Sequence, residues 1–338
     1  MRSFRVPIRC DLPIIHNVLA LFLSLLQLYG RYSVRRWFIQ RCSEVVEVRR
    51  VPVHPNDSWT RGIKSWFGVS LEVMVDLNHE LSLTRADRSY LLWALNFLKC
   101  YETEDVARKN WHVTAKTYRK HVLNMIERIA ELDLVCSLSI YMLKKTINKQ
   151  FAAYIKFENR WIDWEHKVPS MSIDGTDFFI QEQRPICKGD YSHKFRHAGL
   201  RYEIGVALGS SNIVHIAGGY PAGSWPDIKI ARECLVPLLT EGEQAAADNG
   251  YQDGDQYFLT PFGNPGNAAE REFNRQLKSD IMARHETINK RFEHFKCLAT
   301  RQFRHSRGHH ITFFTAVAML VQLTLKYEPL YDLKSRLT

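Results

Sequence analysis

The sequence predicts a mixed α/β fold, an all-helical first part followed by a sheet with flanking helices, and three observations lead there. Apolar residues recur at three- and four-residue spacings between Thr84 and Leu132, the period of amphipathic helices. Short runs rich in β-branched residues, separated by glycine, serine and asparagine, occupy Met171 to Ala217, as strands of a meander do. The helical period then returns over Pro226 to Leu239 and again from about Ala268 to Phe295.

The chain has 338 residues with 45% hydrophobic content, enough for two domains with their own cores. Lys and Arg number 46 against 36 Asp and Glu, a formal charge of +10, which favours a polyanionic partner. The basic residues concentrate at Arg31 to Arg50 and at Arg284 to Arg307, which suits local phosphate contacts, although a solvated surface gives the same pattern. Seven scattered cysteines without a C-x-x-C pair form neither a disulfide framework nor a zinc ribbon and imply a reducing compartment. Absence of G-x-x-x-x-G-K-[ST] and of G-x-S-x-G argues against a P-loop NTPase and a serine hydrolase.

Four regions follow in order. Residues 1–80 are unassigned and partly helical. Their apolar stretch Leu12 to Tyr29 is interrupted by Pro13, His16, Asn17, Ser24 and Gln27, and it reads as a buried helix in preference to a signal or membrane anchor. Val51 to Pro55 reads as a loop. Residues 81–133 carry a helix-turn-helix outline. Thr84 caps a first helix to Leu98, Glu102 to Asn110 forms a short second, and Thr114 opens a longer third after a break at Trp111 to Val113. Ala107 is the small residue where two helices must touch. Lys116, Thr117, Arg119 and Lys120 line the exposed start of the third helix as DNA contacts, although a plain helical bundle shows the same spacing. Residues 134–169 read as a connecting helix.

Residues 170–338 hold the candidate chemistry. Strands are expected at Met171 to Gln181, Tyr202 to Leu208 and Ile213 to Ala217, then a helix, a short strand Gln244 to Ala247 ending in Asp248, a further strand Gln256 to Thr260, and the long helical stretch. One carboxylate in the first strand and another at the end of the fourth make the ribonuclease H-like layout, in which those two strands lie side by side. Asp174 and Asp248 would then converge, and Glu286 from the following helix would complete a catalytic and metal-binding trio. Three carboxylates can hold two Mg2+ or Mn2+ ions open to a scissile phosphate. Without metal such a cluster repels itself, so a purely structural role makes little sense of it. The sets Cys187, His193, His197 and Cys297, His305, His309 make a zinc site conceivable.

Four motifs in order carry a resemblance: SIDGTDF around Asp174, GGYPAGSWPD from Gly218 to Asp227, AADNGYQ around Asp248, and ARHETINKRFEHFK followed by RQFRHSRGHH. Together they resemble the Harbinger (PIF-type) family of DDE transposases over about Met171 to Leu325. The resemblance implies a DNA endonuclease and transposase acting by metal-assisted hydrolysis and strand transfer on transposon ends and target DNA. It also implies a nuclear location, a separate Myb-like DNA-binding partner, no membrane association, and assembly with further copies of the chain. Related sequences place a glutamate seven residues before a lysine. Here that residue, before Lys296, is Asn289, which does not bind magnesium as a carboxylate does. Glu286 and Glu293 lie one turn to either side, and Glu286 is preferred because it follows Arg284 and His285. Arg284, Lys290, Arg291 and Lys296 are the expected phosphate contacts beside the metals, with exposed helix charge as the alternative. Two further readings stay open: a domesticated DNA-binding or scaffold protein that kept the fold without the chemistry, and a host nuclease that cuts without integrating.

Overall fold

The computed structural model describes residues 12–46, 58–132 and 169–333, apart from 186, 240–242, 254–255, 300 and 302. The expected loop at Val51 to Pro55 and nearly all of the expected connecting helix lie outside the described residues.

Six helices come first: α1 (Leu12–Val46), α2 (Ser58–Phe67), α3 (Leu71–Glu80), α4 (Arg85–Cys100), α5 (Glu104–Asn110) and α6 (Ala115–Ala130). Helix α1 takes in the apolar stretch from Leu12, and side chains 12–27 are outside the described residues. At its end Leu28 and Tyr29 are exposed, and burial starts further on, at Val34, Phe38 and Cys42. Their four-residue spacing is a single stripe, so the expected burial has to be corrected there: one face of α1 packs and the other meets solvent.

The helix-turn-helix outline is present as three helices with the predicted caps. Thr84 and Asp87 form a reciprocal capping box on α4, and the Thr114 hydroxyl accepts from Thr117 N at 3.1 Å to start α6. Ala107 is 1% exposed, the small residue at the α5–α6 contact. In place of the turn glycine stands His112, with φ +54°, and Trp111 beside it is buried against Trp93, ring centroids 6.2 Å apart.

The sheet comprises β1 (Met171–Phe179), β2 (Tyr191–Ser192), β3 (His197–Ala207), β4 (Ile213–Pro221), β5 (Ala245–Ala246) and β6 (Phe258–Leu259). Strands β1, β3 and β4 form the expected antiparallel meander. Strand β5 lies parallel to β1, pairing Met171 with Ala245 and Ser172 with Ala246, and β6 lies parallel to β5. The spatial order β4-β3-β1-β5-β6 is the ribonuclease H-like arrangement, with β2 added beside β3.

Two expected helices are broken. The stretch from Pro226 is α7 (Asp227–Ile230), followed by a π turn (Ala231–Leu235) and a 3-10 turn (Val236–Leu238). Pro237 has no N–H to donate and its ring crowds the preceding turn, so the α-helix cannot run through it. The late stretch is α8 (Ala268–Gln276), a π turn (Leu277–Met282) and α9 (Ala283–Glu293), then the single turn α10 (Lys296–Ala299). The wider turn between α8 and α9 shifts which residues of α9 face the sheet.

A final helix, α11 (Arg307–Tyr327), is the pillar of the core. Among the described residues it is the one helix long and apolar enough to cross a membrane, yet 67% of its apolar window is buried inside the fold. It packs between α3, α6 and β4, so one hydrophobic cluster runs from Phe38 and Leu95 through Phe313 and Leu320 to Leu200 and Ile204. A second cluster covers the opposite sheet face, where Met171, Ile173 and Ala245 meet Ala231 and Leu235 beyond α7.

Candidate active site

Alternation along β1 sends Ser172, Asp174 and Phe178 to the face covered by α9 and α11, and Ile173, Gly175 and Asp177 to the face of α7. Strand β5 pairs β1 only as far as Ser172. Asp174, two residues further along β1, therefore stands past the carboxyl end of the parallel pair, where α/β sheets place ligands. Asp248 lies two residues past the end of β5 and caps the turn Asn249–Tyr251, accepting from Gly250 N at 2.8 Å.

The Asp174 carboxyl feels its acidic neighbours. Burial pushes the Asp174 carboxyl up to about 7; nearby Lys194 opposes this, and Asp248 and Asp227 add to it. Asp227, which ends the GGYPAGSWPD motif, is an acid the sequence did not single out for the site. Burial pushes its carboxyl up to about 6, against the pull of Arg201 and with Asp177 and Asp248 adding to the rise. Arg201 binds Asp177 through two nitrogens, at 2.6 and 3.0 Å, and stands 3.3 Å from Asp227 Oδ1. A side-chain carbon at Gly250 would lie 3.0 Å from Asp248 Oδ1 and 3.9 Å from Asp227 Oδ2, so these two acids border one small space. Gly175 explains the glycine of SIDGTDF: a Cβ there would meet Asp227 Oδ1 at 1.9 Å.

Helix α9 is locked to the sheet by its first turn. The Ser172 hydroxyl and His285 Nδ1 share a hydrogen bond at 2.9 Å, and burial holds the His285 ring neutral, down to about 3. Two residues along a strand and four along a helix both advance about 6–7 Å, so the Ser172–His285 contact brings Asn289 opposite Asp174. Asn289 Nδ2 donates to Asp174 Oδ2 at 2.8 Å, and Asn289 Oδ1 is buried with no hydrogen-bond partner.

Glu286 and Glu293 point away from that contact. At roughly 100° per residue they stand about 60° and 40° around the axis from Asn289, and both are exposed. Among the described residues no three His, Cys, Asp or Glu side chains lie close enough together to hold a metal ion. The structure therefore brings Asp174 and Asp248 together, adds Asp227, and sets the Asn289 amide against Asp174 while Glu286, the expected third acid, is exposed. The two conceivable zinc sets do not assemble either. His305 bonds the Tyr101 hydroxyl, Cys297 is buried, and His197 faces Glu182 at 3.9 Å.

The expected phosphate contacts divide. Lys116, Thr117, Arg119 and Lys120 are exposed along the start of α6, with Arg119 held by Glu104 and the Thr117 hydroxyl bonded to Thr114. Lys290 and Lys296 are exposed. Arg284 needs correction as a surface contact: it is 2% exposed and donates to the carbonyls of Ala207 (2.8 Å), Tyr331 (3.2 Å) and Ser210. Its guanidinium ties α9 to the end of β3. Arg291, two residues past Asn289, is on the far side of α9 from the acids and donates to Glu328 O at 2.7 Å. Lys194, on the exposed turn before β3, is the leading cation acting on Asp174.

Residues 173–322 match the family described as DDE superfamily endonuclease. No curated protein and no solved structure matches the chain.

Proposed function

We propose, on the match of residues 173–322 to the DDE superfamily endonuclease family, that the chain is a Harbinger-type, metal-dependent DNA endonuclease that performs transposition-type cleavage and strand transfer. The observation that carries the reading is the approach of Asp174 and Asp248 across the parallel β1–β5 pair, close enough that Asp248 disfavours the charge of Asp174.

The donor set fits a hard divalent cation in part. Asp174 and Asp248 would hold Mg2+ or Mn2+, which when bound supplies the positive charge that activates water and offsets charge on the phosphodiester. The three-carboxylate pattern for two ions is not assembled among the described residues. Glu286, the proposed third acid, would have to swing from the exposed shoulder of α9 past Asn289 to join.

The chain's own residues do the rest. Asn289 holds the Asp174 carboxylate in a fixed orientation through its N–H. Arg201 offsets the charge of Asp177 and Asp227, so that not every acid near Asp174 is uncompensated. Lys194 offers an exposed cation to a phosphate entering beside Asp174. Lys116, Thr117, Arg119 and Lys120 at the start of α6 would follow a DNA groove, with Lys290 and Lys296 against backbone phosphates. A Myb-like partner for end recognition, assembly with further copies and a nuclear location belong to the same proposal.

Asp174→Asn and Asp248→Asn are expected to abolish nicking of plasmid DNA in magnesium or manganese, with gel-shift affinity nearly intact. Wild-type-like nicking by either variant refutes the site. A second reading is favoured by one observation, the amide of Asn289 in the third position: a transposase-derived DNA-binding protein that has lost cleavage. Binding without nicking by the unaltered chain selects it.

A further inference from the structure

A cavity of about 580 Å3 lies on the opposite side of α9 from the carboxylates, between α2, α4, α9 and α11. Its walls bring together four cationic side chains, Arg61, Lys64, Lys99 and Arg291, and one acid, Glu328. Lys64 pairs with that acid. Lys99 donates to His294 O at 2.7 Å, and burial holds its ammonium below the usual lysine range. Arg61 is exposed and makes no ion pair among the described residues.

Arg291 is the telling member. One of its nitrogens donates to Glu328 O at 2.7 Å, whereas Nη1 is buried with no hydrogen-bond partner. A guanidinium offers five donors in a planar fork and is costly to leave half satisfied away from water. His294, the remaining titratable wall group, is held below the usual histidine range by burial and by Lys99, so its ring stays neutral and leaves the balance of charge to the others. One acid, Glu328, thus faces four cations, pairing Lys64 and acting on Arg291, in a space of the size that takes a small ligand. The floor is shaped for the purpose by Gly68, whose φ is +76° and whose Cβ would lie 2.5 Å from Phe295.

We propose that this cavity is a phosphate-binding site, in which Arg291 and Lys99 grip the phosphate oxygens and Arg61 closes over them. Planar forked donors and ammonium groups are the chemistry that recognises phosphate. The phosphate comes either from a DNA backbone lying along α9 beyond the exposed Lys290 and Lys296, or from a free polyphosphate.

The test uses the full chain at constant ionic strength, with inorganic tripolyphosphate and a duplex oligonucleotide as separate probes in titration calorimetry. Arg61→Gln touches no internal hydrogen bond and should weaken binding several-fold. Arg291→Gln should weaken it about tenfold, as expected for one lost charge-assisted contact. Loss confined to tripolyphosphate identifies a free-polyphosphate pocket, and loss for the duplex, with tripolyphosphate competing, identifies the DNA backbone; both support the site. Unchanged binding of both probes to both variants overturns it. So does an equal loss in Lys278→Gln, an exposed lysine outside the cavity, because bulk charge would then explain the effect. The tripolyphosphate arm stands or falls independently of the nuclease reading.

Discussion

Replacing Asn289 by glutamate converts the amide beside Asp174 into a carboxylate, and its consequences can be worked from the contact. The 2.8 Å hydrogen bond from Asn289 Nδ2 to Asp174 Oδ2 is charge-assisted and contributes about 1.5–3 kcal/mol. A second carboxylate held at about 4 Å from Asp174 repels it by about 4 kcal/mol at an effective dielectric constant near 20. In a chelator, Asn289→Glu should therefore lose several kcal/mol, less whatever the longer side chain recovers by turning to solvent, and its melting temperature should drop by several degrees. Millimolar Mg2+ or Mn2+ should reverse the sign, because a cation between two carboxylates turns repulsion into ligation. The assay is thermal unfolding with and without cation, for wild type, Asn289→Glu, Glu286→Gln and Glu293→Gln. The reasoning requires a larger cation-induced rise in Asn289→Glu than in wild type, and no change of the wild-type response in either glutamine variant. It is refuted if Glu286→Gln abolishes the wild-type response, for then Glu286 reaches the metal and α9 must turn in solution, or if Asn289→Glu responds no more than wild type.

Gly175→Ala should displace Asp227, whose Oδ1 would stand 1.9 Å from the new methyl, at a cost of about 1–3 kcal/mol; a urea midpoint equal to wild type would show that the acid has room to move. At Asp76, burial alone would push the carboxyl up, but hydrogen bonds from Lys326 (2.8 Å), Tyr327 (2.6 Å) and Arg31 (2.6 Å) outweigh it and hold it below the usual carboxylate range. The folded state thus binds this proton less readily than the unfolded chain. The stabilisation is fully present above roughly pH 4 and is lost as pH falls through the lowered value. Denaturant midpoints measured from neutral to acid pH should fall less steeply for Asp76→Asn than for wild type in that window, and parallel curves would contradict the assignment.

Much of the fold was legible because its signals are local. A strand announces itself by residue type and alternation, a helix by its period and cap, so β1, β4, α4 and α6 lie where Met171, Ile213, Thr84 and Thr114 indicated. The breaks in the later helices were harder to read. Pro237 was visible, but the π turn after Gln276 follows from how α8 and α9 must pack, which no local pattern records. Asp174 and Asp248 could be chosen from sequence because strand order and strand ends constrain where acids meet.

Sequence by itself determined the order of elements and the basic balance of the chain, since each depends on residue types and their local spacing. Tertiary structure alone decided which side of α9 faces the acids. The Ser172–His285 bond and the Arg284 anchor, made across more than a hundred and more than seventy residues respectively, turn that helix so that Asn289 meets Asp174, Glu286 meets solvent and Arg291 faces the cavity behind. A helix rotates by about 100° per residue, and long-range contacts set that angle; the spacing of charges along the helix is the same at every angle.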